Sequence, residues 1–335
     1  MALEKQNRKK AQESSLTQKT TDPQHANASG SQVSHTGFLD LKIDTAFKFI
    51  FRKKQFMMDL LNELLAGEKV ITDITYNPTE QVPEYEDGKK VFFDLCCTTS
   101  TGEIFIVEMQ YRAHDYFKER TLYYIARKID NQLRTELRRL NNLSEEERKQ
   151  QTSEAYKLSP TIGVFIMDFH LEKDHPRMFR DVILADQRDN HRRFMDALRM
   201  MYVELPSIKR EEDCKTGLEY WIYVIENLKN MTQIPFTDKK PIFKELENEA
   251  DYFKMSPEER EQYDYELMHK NVYDATIVYA KREGYIEGEM DGFEKAKAEA
   301  YQEKLESARR FKNMGLSNEL IAQGTGLPLE EIINL

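Results

Sequence analysis

The sequence predicts an α/β fold: a mixed central sheet flanked by helices and continued by a C-terminal helical extension. Three observations lead there. The segments follow one another as helix, hairpin, helix and strand, an order that suits a mixed sheet with helices on its faces. The run Thr161-Ile162-Gly163-Val164-Phe165-Ile166-Met167 is almost wholly apolar, as a strand buried on both faces must be. Beyond Pro241 the chain becomes strongly helical and charged.

Residues 1–36 are rich in Gln, Ser, Thr, Asn and Lys and nearly lack large apolar side chains, so burial cannot offset the entropy of ordering them; a disordered tail is expected. Order should begin near Phe38. From there Phe47, Ile50, Phe51, Met58, Leu61, Leu64 and Leu65 fall at helical spacing up to Gly67, the pattern of a helix pair or of one broken helix. A short strand is expected from Val70 to Asn77, ended by Asn77-Pro78. VFFDLCCTT and EIFIVEMQY are two strand patterns around a small polar turn that ends in Gly102, so they form a hairpin. A long helix is predicted over 116–140.

Another helix is predicted from Cys214 to Met231, with Leu218, Trp221, Ile222, Ile225 and Leu228 on one face. Met57, Met58, Tyr123 and Trp221 are expected in the core. Gly284, Gly288 and Gly292 recur every four residues in a segment too charged for a membrane; they allow a close helix neighbour or mark an exposed helix of modest stability. The last segment, from Ser307, reads as three short helices with a cap at Ser317 and breaks at Gly315 and Gly324-Thr325-Gly326. Its final helix offers Glu330 and Glu331 rather than Arg or Lys, so it reads as a packing or dimerisation tail and not as a nucleic-acid reader. The expected division is 1–36, 37–240 and 241–335.

Composition narrows the function. The net charge is -10 over 335 residues, which argues against coating nucleic acid by bulk electrostatics and leaves room for a local basic groove. No apolar run reaches the roughly 18 residues a membrane span needs. The Lys and Arg residues near the N-terminus precede no apolar stretch, so a cytoplasmic protein is expected. Three cysteines, two of them adjacent on a strand, suggest buried thiols rather than disulfides or zinc. His114 and His170 lack a ligand partner at metal-binding spacing.

The chemistry is carried by the hairpin. Strand alternation puts Glu108 and Gln110 on one face of EIFIVEMQY, and Phe92, Asp94 and Cys96 on one face of the preceding strand. If Ser100, Thr101 and Gly102 form a three-residue loop with Gly102 left-handed, Thr99 faces Glu103 and Asp94 faces Glu108, with Cβ atoms about 5 Å apart. Two carboxylates that close amid Phe, Ile, Val and Leu repel each other and lose hydration unless a cation lies between them. Oxygen-only ligands favour Mg²⁺ or Mn²⁺. The competing reading is that both carboxylates point outward from a one-sided sheet and are merely solvated.

Asp94, Gly102 and the run Ile106-Val107-Glu108-Met109-Gln110 resemble the D…(D/E)xK hairpin of PD-(D/E)XK nucleases, most closely the Rpn family of recombination-promoting nucleases and transposases, in which Gln commonly replaces the Lys. Further matches are Asp44-Thr45-Ala46-Phe47-Lys48-Phe49-Ile50-Phe51, Arg120-Thr121-Leu122-Tyr123-Tyr124, the strand ending Met167-Asp168-Phe169, and the glycine-spaced helix. The resemblance implies a restriction-endonuclease-like fold over 37–240 and metal-assisted hydrolysis of DNA with little sequence preference, linked to recombination or mobile elements. It implies Asp94, Glu108 and the Met109 backbone carbonyl as metal ligands, with Gln110 on the attacking water or a phosphate oxygen. Asp44 is a fourth catalytic candidate, though an acidic residue favourably placed at a helix N-terminus reads equally well.

Lys48, Arg120, Tyr124 and Arg127 are candidates for phosphate binding, since residues 111–140 carry eight Lys or Arg against four Asp or Glu. A homodimer would suit cutting both strands. The alternative is a weak or inactive nuclease fold that serves binding.

Overall fold

The computed structural model describes residues 37–81, 91–151 and 156–335; the expected disordered tail lies outside them. The first helical pattern resolves as two helices, α1 (Asp44–Phe51) and α2 (Lys54–Leu64), whose Phe47, Ile50, Phe51, Phe56 and Leu61 are buried. After β1 (Ile74–Tyr76) the chain makes a small second sheet from β2 (Glu80–Gln81) and β3 (Val91–Phe92). The expected single strand VFFDLCCTT is therefore broken. Phe92 turns to solvent, Phe93 turns inward, and the main strand β4 begins only at Leu95 and runs to Thr99. Strict alternation across 91–99 fails because Phe93 and Asp94 leave the ladder to enter the core and the site.

The main sheet has six strands in the order β1, β4, β5 (Ile104–Gln110), β6 (Thr161–Met167), β8 (Arg192–Glu204) and β7 (Phe179–Asp186). β5, β6 and β8 run parallel, and the remaining pairs are antiparallel. The sheet is thus mixed, with its parallel strands in the middle where both faces are covered. On one face lie α1, α2, α5 (Gly217–Asn227) and α6 (Pro241–Glu249), closing a core around Trp221, Phe243, Phe105, Val107 and Val164. On the other, α3 (Phe117–Asn141) covers Ile104, Ile106, Phe165 and Tyr202. A short helix α4 (Glu145–Gln151) follows it. Adjacent Cys96 and Cys97 point into opposite layers, both as buried free thiols.

Gly163 lets α3 approach β6: a Cβ there would stand 2.7 Å from the Phe165 ring and 2.8 Å from Ile125 Cδ1. β7 and β8 escape the sequence pattern. Their outer halves form an exposed arm joined through Asn190 and His191, both at positive φ, while Met201, Tyr202 and Val203 enter the core. Buried Glu204, at the end of β8, accepts the backbone N–H groups of Leu171 and Arg177 and the guanidinium of Arg180, and meets His170 Nδ1 at 2.7 Å.

Tyr123, expected in the core, is exposed on α3, whereas Met57 and Trp221 are buried. The C-terminal region is one continuous 57-residue helix, α7 (Pro257–Asn313), followed by two short helices, α8 (Asn318–Thr325) and α9 (Leu329–Ile333). Of the three short helices expected, the first is the end of α7. The Ser317 hydroxyl caps α8 by accepting the Leu320 N–H, and Gly315 and Gly326 supply the left-handed breaks.

Candidate functional site

The β4–β5 hairpin closes through Ser100, Thr101 and Gly102, with Gly102 at φ 95° and the Thr99 N–H donating to the Glu103 carbonyl at 2.9 Å. The ladder pairs Leu95 with Val107, Cys96 with Ile106 and Thr98 with Ile104. One step beyond, Asp94 faces Glu108. The Asp94 N–H donates to Glu108 Oε1 at 3.1 Å, and Asp94 Oδ2 accepts the Met109 N–H at 2.7 Å. Gln110 Nε2 donates to Glu108 Oε2 at 3.2 Å, so strand alternation brings these two together. The group lies at the carboxyl ends of parallel β5 and β6, where open α/β sheets place their ligand sites.

Asp44, the first residue of α1, joins this pair. Its carboxyl lies beside Asp94; Oδ2 accepts from Lys48 Nζ at 2.6 Å, and Oδ1 is buried without a partner among the described residues. Lys48 Nζ also stands 3.7 Å from Asp94 Oδ1. Burial pushes the Asp94 carboxyl up to about 7, with the adjacent charge of Asp44 adding to the effect. Glu108, 2 % exposed, is pushed well above the ordinary range, first by burial and then by Asp94. Burial acts to lower the Lys48 ammonium, but the hydrogen bond and charge of Asp44, with Asp94 and Glu108 behind it, outweigh this and raise it. The solvated reading fails for Glu108, which is buried; Asp94 is part-buried and held by the Met109 N–H.

Arg120 Nε donates to the Tyr124 hydroxyl at 2.8 Å, and the Arg120 charge reaches Glu108. Arg127, on the next turn of α3, directs its guanidinium to Asp130 at 3.8 Å, while its Nε is buried without a partner among the described residues. Lys53 and Lys54, near α1, are engaged by Glu249 and Asp73.

A second ionic group supports the end of β5; of its members only Asp168, in the strand ending Met167-Asp168-Phe169, stands out in the sequence, and without a role assigned to it. Lys42 Nζ stands 3.1 Å from both Asp168 Oδ2 and Glu226 Oε1, and the Asp168 N–H donates to the Gln110 carbonyl at 2.9 Å. The available signal is position: Lys42 lies two residues before Asp44, and Asp168 follows the apolar strand. A cleft of about 320 Å³ opens beside Asp44 and Met109, lined also by Tyr111, Arg112, Tyr265 and His269. A larger cleft, about 650 Å³, lies by Asn77, Lys128 and Gln132, away from Asp44, Asp94 and Glu108; we take the smaller as the relevant one because Asp44 and Met109, the neighbours of Asp94, line it.

Among the described residues, no three His, Cys, Asp or Glu side chains form a ready-made cation cage. The facing pair offers two carboxylates and would complete a coordination shell with backbone and water oxygens. No described helix is long and apolar enough to cross a membrane. No match is found among curated proteins or among solved structures. A family model described as PD-(D/E)XK nuclease family transposase matches residues 41–281, a span that opens just before Asp44 and contains the whole acidic group, and the chain belongs to that family.

Proposed function

We propose that this chain is a cytoplasmic, metal-dependent endonuclease that hydrolyses DNA phosphodiester bonds with little sequence preference, in recombination or the movement of mobile elements. The observation that carries this reading is the facing pair Asp94 and Glu108, buried at the strand ends with both carboxyls raised. Buried Glu108, part-buried Asp94 and Asp44 Oδ1, which has no partner among the described residues, are an oxygen-only donor set short of positive charge, which fits Mg²⁺ or Mn²⁺. When bound, such an ion supplies an activated water and a counter-charge for phosphate oxygens.

Asp94 and Glu108 hold the ion. An extended residue presents its N–H and C=O to the same edge, so the Met109 carbonyl, whose N–H meets Asp94, faces the same place and serves as a third ligand. Gln110 is anchored through its amide N–H on Glu108 and keeps its carbonyl to accept a hydrogen bond from the attacking water, holding it in place. Being neutral, it cannot stabilise the charge that develops on phosphate. Lys48, on the helix that carries Asp44, provides the positive group, and Asp44 holds it in place. Arg120 and Tyr124 bind a phosphate on the α3 side, and Arg127 a neighbouring one. In this reading 37–240 form the nuclease and 241–335 a helical extension, with two copies acting on opposite strands.

The second reading, a nuclease fold that binds DNA without cutting it, draws on Gln110 in place of Lys and on the net charge of -10. Plasmid nicking decides between them. Purified protein should nick supercoiled DNA in Mg²⁺ or Mn²⁺ and not in EDTA, and Asp94→Ala or Glu108→Ala should each lower the rate by roughly a hundredfold or more. Folded variants that nick as fast as wild type overturn the assignment. Metal-independent retention of DNA without nicking supports the second reading.

A further inference from the structure

Helix α7 contains 57 residues, about 85 Å at 1.5 Å per residue. Its first turns belong to the main core through Tyr263, and its last turns are covered by α8 and α9 around Ala308, Ile321 and Ile332. Between Lys270 and Ala308 no residue of α7 is buried. Ten turns of solvated helix containing Gly284, Gly288 and Gly292 are poorly supported by propensity alone, since glycine is the weakest helix former after proline. On this stretch and the turn before it, Tyr265, Val272, Tyr279, Ile286 and Phe293 recur every seventh residue, each between 44 and 69 % exposed, with Met268 and Met290 beside them. An apolar repeat of seven is the seam of a supercoiled helix pair.

We propose that a second copy of this chain covers the seam, with the two α7 helices antiparallel and the two-fold axis near Gly284. This gives a surface to the two-copy arrangement proposed above, yet it rests on α7 alone and stands whether or not the site cuts DNA. Charge sets the direction. Residues 257–280 carry six Asp or Glu against two Lys or Arg, while 295–313 carry six Lys or Arg against three Glu. An antiparallel pair brings the acidic end of each helix to the basic end of the other; a parallel pair sets like against like.

The register follows from side-chain size. With the axis at the level of Gly284, Phe293 falls opposite Ala275, Val272 opposite Ala296 and Met268 opposite Ala300. Phe293, Val272 and Met268 thus meet alanines, while Ile286 and Tyr279 lie against the aliphatic stems of Arg282 and Glu289. Arg282 and Glu289, the charged residues of the seam, come within one turn of each other across the pair. Seven apolar side chains of roughly 200 Å² each, about half exposed, present on the order of 800 Å² per copy, the size of a stable interface.

The test uses the full chain. Light scattering during size exclusion should give the mass of a dimer, and Ile286→Glu with Phe293→Glu should give a monomer. Because the native thiols are buried, engineered cysteines report the geometry under mild oxidation. Arg282→Cys mixed with Ile286→Cys should form an intermolecular disulfide; Val272→Cys alone should not; and a mixture of Val272→Cys and Ala296→Cys proteins should. A monomeric wild type, or Val272→Cys linking to itself as readily as to Ala296→Cys, overturns the proposal. Nicking activity enters neither readout, so its loss and the loss of the dimer are separable.

Discussion

Glu108 faces Asp94 across the hairpin in a dry setting, so without metal the fold resists ionisation of both carboxyls. The consequence for stability has a definite sign. Asp94 moves from the ordinary 3.8 up to about 7, so between about pH 4 and 7 the folded chain holds a proton that the unfolded chain has released. The stability this contributes is present on the acid side and lost as pH rises through 7. Thermal unfolding of metal-free protein should therefore show a melting temperature that falls over this window, and Mg²⁺ or Mn²⁺ should raise it more at pH 8 than at pH 5. Glu108→Gln removes the like charge and should raise the metal-free melting temperature while abolishing nicking; a lower melting temperature for this variant would sink the argument. The facing of Asp94 and Glu108 is legible in the sequence because a three-residue turn fixes the register. The Lys42–Glu226 contact is not, since its partners are 184 positions apart and meet only when α5 closes the core.

At the scale of elements, the segments that follow one period along their whole length are legible. The long helix over 116–140 is found at Phe117–Asn141, and the all-apolar run at Thr161–Met167 is the central strand. β3 and β4 are not found as one strand, because the side chains that leave the ladder at Phe93 and Asp94 have no local signature. β7 and β8 are rich in Arg, Asp and Met, and their arm is half solvated, so neither a period of two nor continuous apolarity marks them. The closeness of α3 to β6 depends on Gly163, where a methyl group would press on Phe165 and Ile125. Both neighbours are side-chain ends that can yield in part, so Gly163→Ala should cost about 1 to 3 kcal/mol in urea unfolding. A cost indistinguishable from zero would mean that the two layers have room to spare.

For the whole molecule, a net charge of -10 and a DNA substrate are compatible because charge is unevenly distributed. The eight Lys and Arg of residues 111–140 lie on and around α3, and the charge of Arg120 among them reaches Glu108, while acidic residues dominate the first half of α7. The two cores differ in extent: one face of the sheet is closed by α1, α2, α5 and α6, the other by α3. Cys96 and Cys97 are neighbours in the chain that report on different layers, which makes them a clock for how the molecule opens. An alkylating reagent modifies a thiol only during the moments when its layer has lifted. If α3 can detach while the larger core stays shut, Cys96 is modified before Cys97, and mass spectrometry after brief labelling would show the singly modified chain first. Equal rates at the two positions would mean that the sheet gives up both faces in one cooperative event.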